Sequence, residues 1–232
     1  MIEIHRNLLS NIIVKNTVAV GGTTAVEAIH NLRMKLHIVE SRLNVNAVYL
    51  ADDLGRMRID IYAGDQRIYS EGYDGKQAWA LSKGETKGEP EDENATAALR
   101  HGVELPGKIF WLYQLEKKGA KIDLEETRTI ERISFFVLRV TLRDGFIVHL
   151  YLNSKSYLID RMRDRRSLHP DIDPATTSLE SLYSDFKKVD GVVRAFKEKQ
   201  IDLRSGAVLS TTDIESVQVN IQLDPDHFTC PE

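Results

Sequence analysis

Leu150-Tyr151-Leu152-Asn153-x-x-x-Tyr157-Leu158-Ile159 and Tyr183-x-Asp185-Phe186-Lys187-Lys188-Val189-Asp190-Gly191 are the two blocks on which the fold reading turns. They lie between Val148 and Phe228, ahead of a run that closes on Val217-Gln218-Val219-Asn220-Ile221-Gln222-Leu223-Asp224-Pro225. Apolar residues at every second position, punctuated by Asp-Gly and Asn, are the pattern of half-buried strands joined by tight turns. No catalytic signature falls in either block. The question therefore shifts from which reaction is run to what the sheet holds.

The same period of two recurs upstream. Leu32, Met34, Leu36 and Ile38 alternate with Arg33, Lys35 and His37; Met57, Ile59, Ile61 and Ala63 alternate with Arg56, Arg58, Asp60 and Tyr62. Phe136, Leu138, Val140 and Leu142 repeat it, as do Val217, Val219, Ile221 and Leu223. Further strands are expected at 44–51, 66–73, 77–82, 121–130, 147–153, 156–163, 179–188, 193–202 and 207–214. Turn residues such as Gly64-Asp65, Asp74-Gly75, Asp144-Gly145 and Ser205-Gly206 separate several of them. Many short antiparallel strands in series imply one large curved sheet or a barrel.

Helical spacing appears only at the start, where Ile4, Leu8, Leu9, Ile12 and Ile13 predict an amphipathic helix that Gly21-Gly22 ends. Thr24-Ala25-Val26-Glu27 fits a capping box opening a second short helix near 24–31. Residues 82–102, rich in Gly, Pro and acid, read as a solvated loop with one helical turn near 95–100. Residues 103–115 gather Leu105, Ile109, Phe110, Trp111, Leu112, Tyr113 and Leu115, too apolar to be left in water, and read as a helix or plug over the sheet. Residues 164–178 read as a second long loop.

With 232 residues, 42% of them hydrophobic, and a formal net charge of −4, the chain can bury a sizeable core as one domain spanning 1–232 and offers no electrostatic case for nucleic acid. No stretch reaches the roughly 20 apolar residues of a transmembrane helix. Cys230 is the single cysteine, which excludes an intrachain disulfide and a clustered thiolate site. The seven histidines show neither an i,i+4 pair nor H-E-x-x-H, so no metal and no cofactor are expected. His169, Asp171 and Asp173 come nearest to a metal cluster, yet they lack the Gly and distal Glu of a calcium loop. Gly21-Gly22-Thr23-Thr24 could face a phosphate, but no strand precedes it. Arg161, Arg163, Arg165 and Arg166 read as a solvated sheet edge.

Taken in order, the helix, Gly21-Gly22, Ala28-Ile29-His30-Asn31-Leu32-Arg33-Met34, Tyr73-Asp74-Gly75-Lys76-Gln77-Ala78-Trp79, the two opening blocks and Val219 to Phe228 resemble the bacterial outer-membrane lipoprotein-sorting proteins of the LolA/LolB-like superfamily. The resemblance covers about residues 7–232. It implies a mainly β (α+β) fold: an unclosed half-barrel of about eleven antiparallel strands, with N-terminal helices and a short plug on its concave face around a hydrophobic cavity. It also implies a periplasmic or envelope location, the export signal having been removed, and a lipid or acylated lipoprotein as partner. The chain departs from relatives in placing Ala195 where they often carry a proline after the Val-Asp-Gly turn, and no specific lipid-contact residue of theirs can be matched.

The expected function is a non-enzymatic carrier or sensor of a hydrophobic ligand, a lipid or lipoprotein acyl chain, in the bacterial envelope. Burying acyl chains at roughly 0.8 kcal/mol per methylene is what such a cavity would exploit. The expected lining is Met34, Leu36, Met57, Ile59, Trp79, Phe136, Leu138, Val140, Leu150 and Leu152, with Phe110 and Trp111 as lid contacts. No catalytic residue is expected. The alternative is a protein-interaction or regulatory module on the same fold with a filled core, docking an envelope protein partner.

Overall fold

The structure, a computed structural model, describes residues 2–41, 43–167 and 175–232; side chains of residues 2–5 and 225 are not part of the description. His169, Asp171 and Asp173 lie outside it. The sheet contains β1 (Asn31–Glu40), β2 (Leu43–Asp52), β3 (Met57–Ala63), β4 (Gln66–Tyr73), β5 (Ala78–Ser82), β6 (Glu89–Pro90), β7 (Lys121–Ile130), β8 (Ile133–Thr141), β9 (Ile147–Asn153), β10 (Ile159–Arg166), β11 (Thr177–Val189), β12 (Val192–Asp202) and β13 (Val208–Val219). They hydrogen-bond in the order β6-β5-β4-β3-β2-β1-β13-β12-β11-β10-β9-β8-β7. The end strands β6 and β7 are not paired with each other, so the antiparallel sheet is unclosed, as the family resemblance implies. The helices are α1 (Ile2–Ala19), α2 (Thr23–Glu27), α3 (Glu93–Glu104) and α4 (Leu112–Leu115), with a 3-10 turn at Pro225–Phe228.

By its contacts the chain divides into two compact units, one of Met1–Ala28, Trp111–Arg165 and Ser178–Val208, the other of Ile29–Phe110, Arg166–Thr177 and Leu209–Glu232.

In the first unit, α1 buries Ile12, Asn16 and Thr17, and Val20 just past its end continues the i, i+4, i+5, i+8 stripe of an amphipathic helix. Asn16 donates from Nδ2 to the Tyr157 carbonyl (2.7 Å) and Lys15 from Nζ to the Tyr157 hydroxyl (3.0 Å). The far end of α1 is fixed by the Val189-Asp190-Gly191 turn. Asp190 and Gly191 have φ of 46° and 86°, the two left-handed residues of a type I′ hairpin. Beside that turn the Val193 amide donates to the Val20 carbonyl (2.9 Å). Contact is so close that a Cβ on Gly21 would stand 2.2 Å from the Gly191 oxygen. The Gly-Gly pair and the Asp-Gly turn, far apart in sequence, are thus one joint.

β10 lies between β9 and β11, so its arginines are not on a sheet edge as expected from sequence. Arg163 Nε donates to Glu180 Oε1 (2.8 Å), Arg161 reaches the same carboxylate at 3.6 Å, and Arg161 also pairs with Glu131 (2.8 Å). The two guanidinium groups lie over the rings of Phe135 and Tyr151, which form a small buried cluster with Val137. Alternating charge here builds a cover for aromatics.

In the second unit, Trp79 lies across Gly72, where an added Cβ would come within 2.5 Å of the indole. Its Nε1 donates to the Phe228 carbonyl (2.8 Å). Arg58 stands over the Trp79 ring and Arg56 over the Phe228 ring, while Gly88 donates to the Pro231 carbonyl. The C-terminal segment is therefore strapped onto one face of β3–β5.

Several local expectations change. The helix expected at 24–31 stops at Glu27 because β1 begins at Asn31, and it starts at Thr23 after Gly22 with no side-chain cap, so the Thr24 capping box is not formed. Residues 82–102 are not one loop: Asp92 accepts from the Ala95 amide and starts the twelve-residue α3. The terminal strand ends at Val219 rather than Leu223, because Asn31 offers Oδ1 and Nδ2 to the Ile221 amide and carbonyl in place of a further strand residue.

Candidate functional site

Strand register sorts the expected lining residues by face, since directly opposed residues share a side of the sheet. In the second unit three rows run across the strands: Leu32, Ala51, Met57, Tyr73 and Ala78; Met34, Tyr49 and Ile59; Leu36, Ala47 and Ile61. Met34, Leu36, Met57 and Ile59 therefore stand together. Trp79 does not join them: its neighbour Ala78 occupies the row, so Trp79 points to the opposite face, against Gly72 and Phe228. The sequence placed it with the lining because it is large and apolar; the register decides otherwise.

In the first unit the rows are Phe136 with Leu152, Leu138 with Leu150 and Met162, and Val140 with Val148. All five lining residues expected there share that face. Leu138, Val140, Leu150 and Leu152 are fully buried, and Phe136 stacks on Tyr157 with ring centroids 5.8 Å apart. Because Tyr157 is held by Lys15 and Asn16, α1 lies against this part of the face.

The two lid residues are buried and anchored in different units. The Phe110 ring lies beside Gly55 in the β2–β3 turn. Trp111 lies under the Arg194 guanidinium of β12 at 5.3 Å, and its amide donates to Gln114 Oε1 at the start of α4 (2.8 Å). Burial lowers the Arg194 pKa to about 10, against the opposing pull of Asp190, which leaves the side chain cationic at neutral pH.

Sequence reasoning passed over Tyr49. It stands between Met34 and Ile59, is 3% exposed, and its hydroxyl has no hydrogen-bond partner. Desolvation pushes its pKa up, so it remains a protonated donor. The signal was in the Val45, Ala47, Tyr49, Ala51 alternation, where a phenol occupies an otherwise apolar row.

A surface cleft of about 410 Å³ opens elsewhere in the second unit, lined by His30, Asp52, Asp53, Arg56, Asp224 and Phe228 among others. His30 Nδ1 and Asp53 Oδ2 are 2.8 Å apart, and Arg56 pairs with Asp52 at 2.6 Å. No Ser, Thr or Cys is among its described lining residues. Among the described residues no group of three or more His, Cys, Asp or Glu could hold a metal ion, and no helix is long and apolar enough to cross a membrane.

No protein-family model and no curated protein matches the chain. Solved structures do. A LolA superfamily protein from Nitrosomonas europaea superposes with a TM-score of 0.61 at 14% identity, over 94% of this chain and 96% of that one. The fold is LolA-like. A putative outer membrane lipoprotein-sorting protein domain from Vibrio parahaemolyticus gives 0.58 at 10% identity, over 94% of both chains. A DUF1329 family protein from Desulfovibrio piger gives 0.63 at 11% identity, over 95% and 96%. At these identities the LolA-like likeness speaks of fold alone.

Proposed function

We propose that the chain acts as one LolA-like domain that carries or senses a hydrophobic ligand, a lipid or lipoprotein acyl chain, in the bacterial cell envelope without catalysing a reaction. A ligand would lie on an apolar face, that of Met34, Leu36, Met57 and Ile59 in one unit or that of Phe136, Leu138, Val140, Leu150 and Leu152 in the other. Phe110 and Trp111 would move as it enters. The observation that carries this reading is the register, which gathers these nine side chains onto one apolar row set within each unit. Fold likeness over nearly the whole length of a lipoprotein-sorting domain supports it. An acyl chain gains roughly 0.8 kcal/mol per buried methylene, so even part of either face offers useful affinity.

A lipophilic fluorescent dye titrated into the detergent-free protein tests the reading. Saturable dye uptake, reversed by added phospholipid, is expected. Dye fluorescence no higher than that with an unrelated soluble protein would sink it.

A further inference from the structure

The turn between β2 and β3 and the run that follows β13 both line the cleft of about 410 Å³ in the second unit, and there they bring apolar side chains toward solvent. Leu54 in the turn is 72% exposed, and Ile221 and Leu223 are half-buried along the same cleft. Single exposed apolar residues are ordinary on a surface, whereas several grouped around one concavity with a polar rim mark a place where another molecule sits. The main chain points the same way. Ile221 has both of its backbone groups taken by the Asn31 side chain, its amide donating to Oδ1 (2.9 Å) and its carbonyl accepting from Nδ2 (3.1 Å), as a neighbouring strand would take them. Gln222 and Leu223, which come next, have no backbone hydrogen-bond partner among the described residues, and the chain is extended at Asp224 (φ −73°, ψ 131°). A short unpaired run of this kind is a template for a further strand. Charge sets the sign of what fits. Arg56 is held by Asp52 (2.6 Å) and lies over the Phe228 ring, so that pair is neutral. The Asp53 carboxylate meets His30 Nδ1 (2.8 Å) and that of Asp224 accepts from the Asp226 amide (3.0 Å), but neither has a lysine or arginine in contact among the described residues.

We propose that this cleft docks a short extended segment of a partner protein: its main chain pairs with Gln222 and Leu223, an apolar side chain lies among Leu54, Ile221 and Leu223, and a neighbouring lysine or arginine meets Asp53 and Asp224. The volume is near the lower end of the roughly 300–1,000 Å³ of ligand sites, which admits a few side chains and not a folded domain. The inference goes beyond the carrier reading and does not depend on it, since none of the residues assigned to the two apolar faces borders the cleft.

Short random peptides displayed on phage, depleted on an unrelated protein and then selected on the full chain, test it. Enriched sequences should combine an apolar residue with a lysine or arginine. The leading peptide, synthesised with a fluorophore, should bind Leu54→Ser about 10-fold and Asp53→Asn about 2–5-fold more weakly than the native protein, the worth of one leucine contact and of one surface ion pair. N-methylation of the peptide's apolar residue should weaken it about 3–10-fold by removing a main-chain donor. Both substituted side chains are exposed, so thermal midpoints should not move and a loss of binding reports the cleft rather than the fold. Peptides that bind the native protein and both variants alike overturn the inference, as does a selection that enriches nothing or enriches acidic sequences. A native protein that sediments as a dimer, with Leu54→Ser sedimenting as a monomer, assigns the cleft to a second copy of this chain and overturns it too. Dye uptake should be the same in all three proteins, so failure here leaves the carrier reading standing.

Discussion

Gly21 leaves no room for a side chain: the site of its missing Cβ lies 2.2 Å from the Gly191 oxygen, and its φ is +126°. Gly22, at φ +87°, faces open space. Gly21→Ala should therefore cost about 3 kcal/mol or more, from backbone strain plus displacement of a carbonyl, while Gly22→Ala costs only the strain of about 1–2 kcal/mol. Urea unfolding of both variants separates the two. Glu180 makes a second residue-scale case. Its side chain is 8% exposed between Arg161 and Arg163, so Glu180→Ala takes this carboxylate from Arg163 while Arg161 keeps Glu131. About 2–4 kcal/mol should be lost, somewhat below the fully buried case because Arg163 retains solvent contact. The tyrosines give a pH dependence. Burial, and then the Glu27 carboxylate, push Tyr113 up to about 12; burial also raises Tyr73, against Arg100, and raises Tyr49. In the unfolded chain these phenols ionise near 10. The folded state thus holds protons that the unfolded state has lost, so this contribution to stability is complete below pH 10 and disappears as pH rises toward 12. Unfolding midpoints measured from pH 9 to 12 should fall, and less steeply in Tyr113→Phe.

At the scale of elements, the strands were the most legible part. β7 and β9 coincide with the stretches 121–130 and 147–153, because strict alternation over a half-buried face leaves little choice of register. Legibility failed where long-range partners overrode local pattern. Val217 to Leu223 alternates without a break, yet the Asn31 side chain captures the Ile221 backbone and turns the chain out of the sheet. α3 was read as only one turn near 95–100 because Gly and acid upstream mask the rest of a helix that Asp92 caps and Val103 buries. α1 was found, although Val14 and Val18 lie exposed opposite its buried stripe and blur its pattern. The C-terminal strap shows an element whose role was invisible in sequence: Phe228, 1% exposed, receives Arg56 on its ring and supplies the carbonyl for Trp79. Phe228→Ala should cost about 3–5 kcal/mol. It should also shift Trp79 emission to longer wavelength as water reaches the indole, an effect best read in a Trp111→Phe background.

For the whole molecule, a large antiparallel sheet was legible in the alternation while the pairing of β1 with β13 was not, and its unclosed ends are seen directly, β6 being two residues long and finished by Pro90. A proline at so short an edge blocks further pairing. The candidate site was less legible than the fold. Alternation identifies a buried face but not which of two faces a given tryptophan takes, as Trp79 demonstrates, and hydropathy has no means of marking a single unsatisfied hydroxyl such as that of Tyr49. The central claim is that the apolar faces hold a lipid rather than serve only as core. Native mass spectrometry of the full chain, purified without detergent and after incubation with bacterial lipid vesicles, tests it most directly. The account predicts a population heavier than the polypeptide by the mass of one lipid, which collisional activation releases. A spectrum showing only the bare polypeptide mass before and after incubation would contradict it.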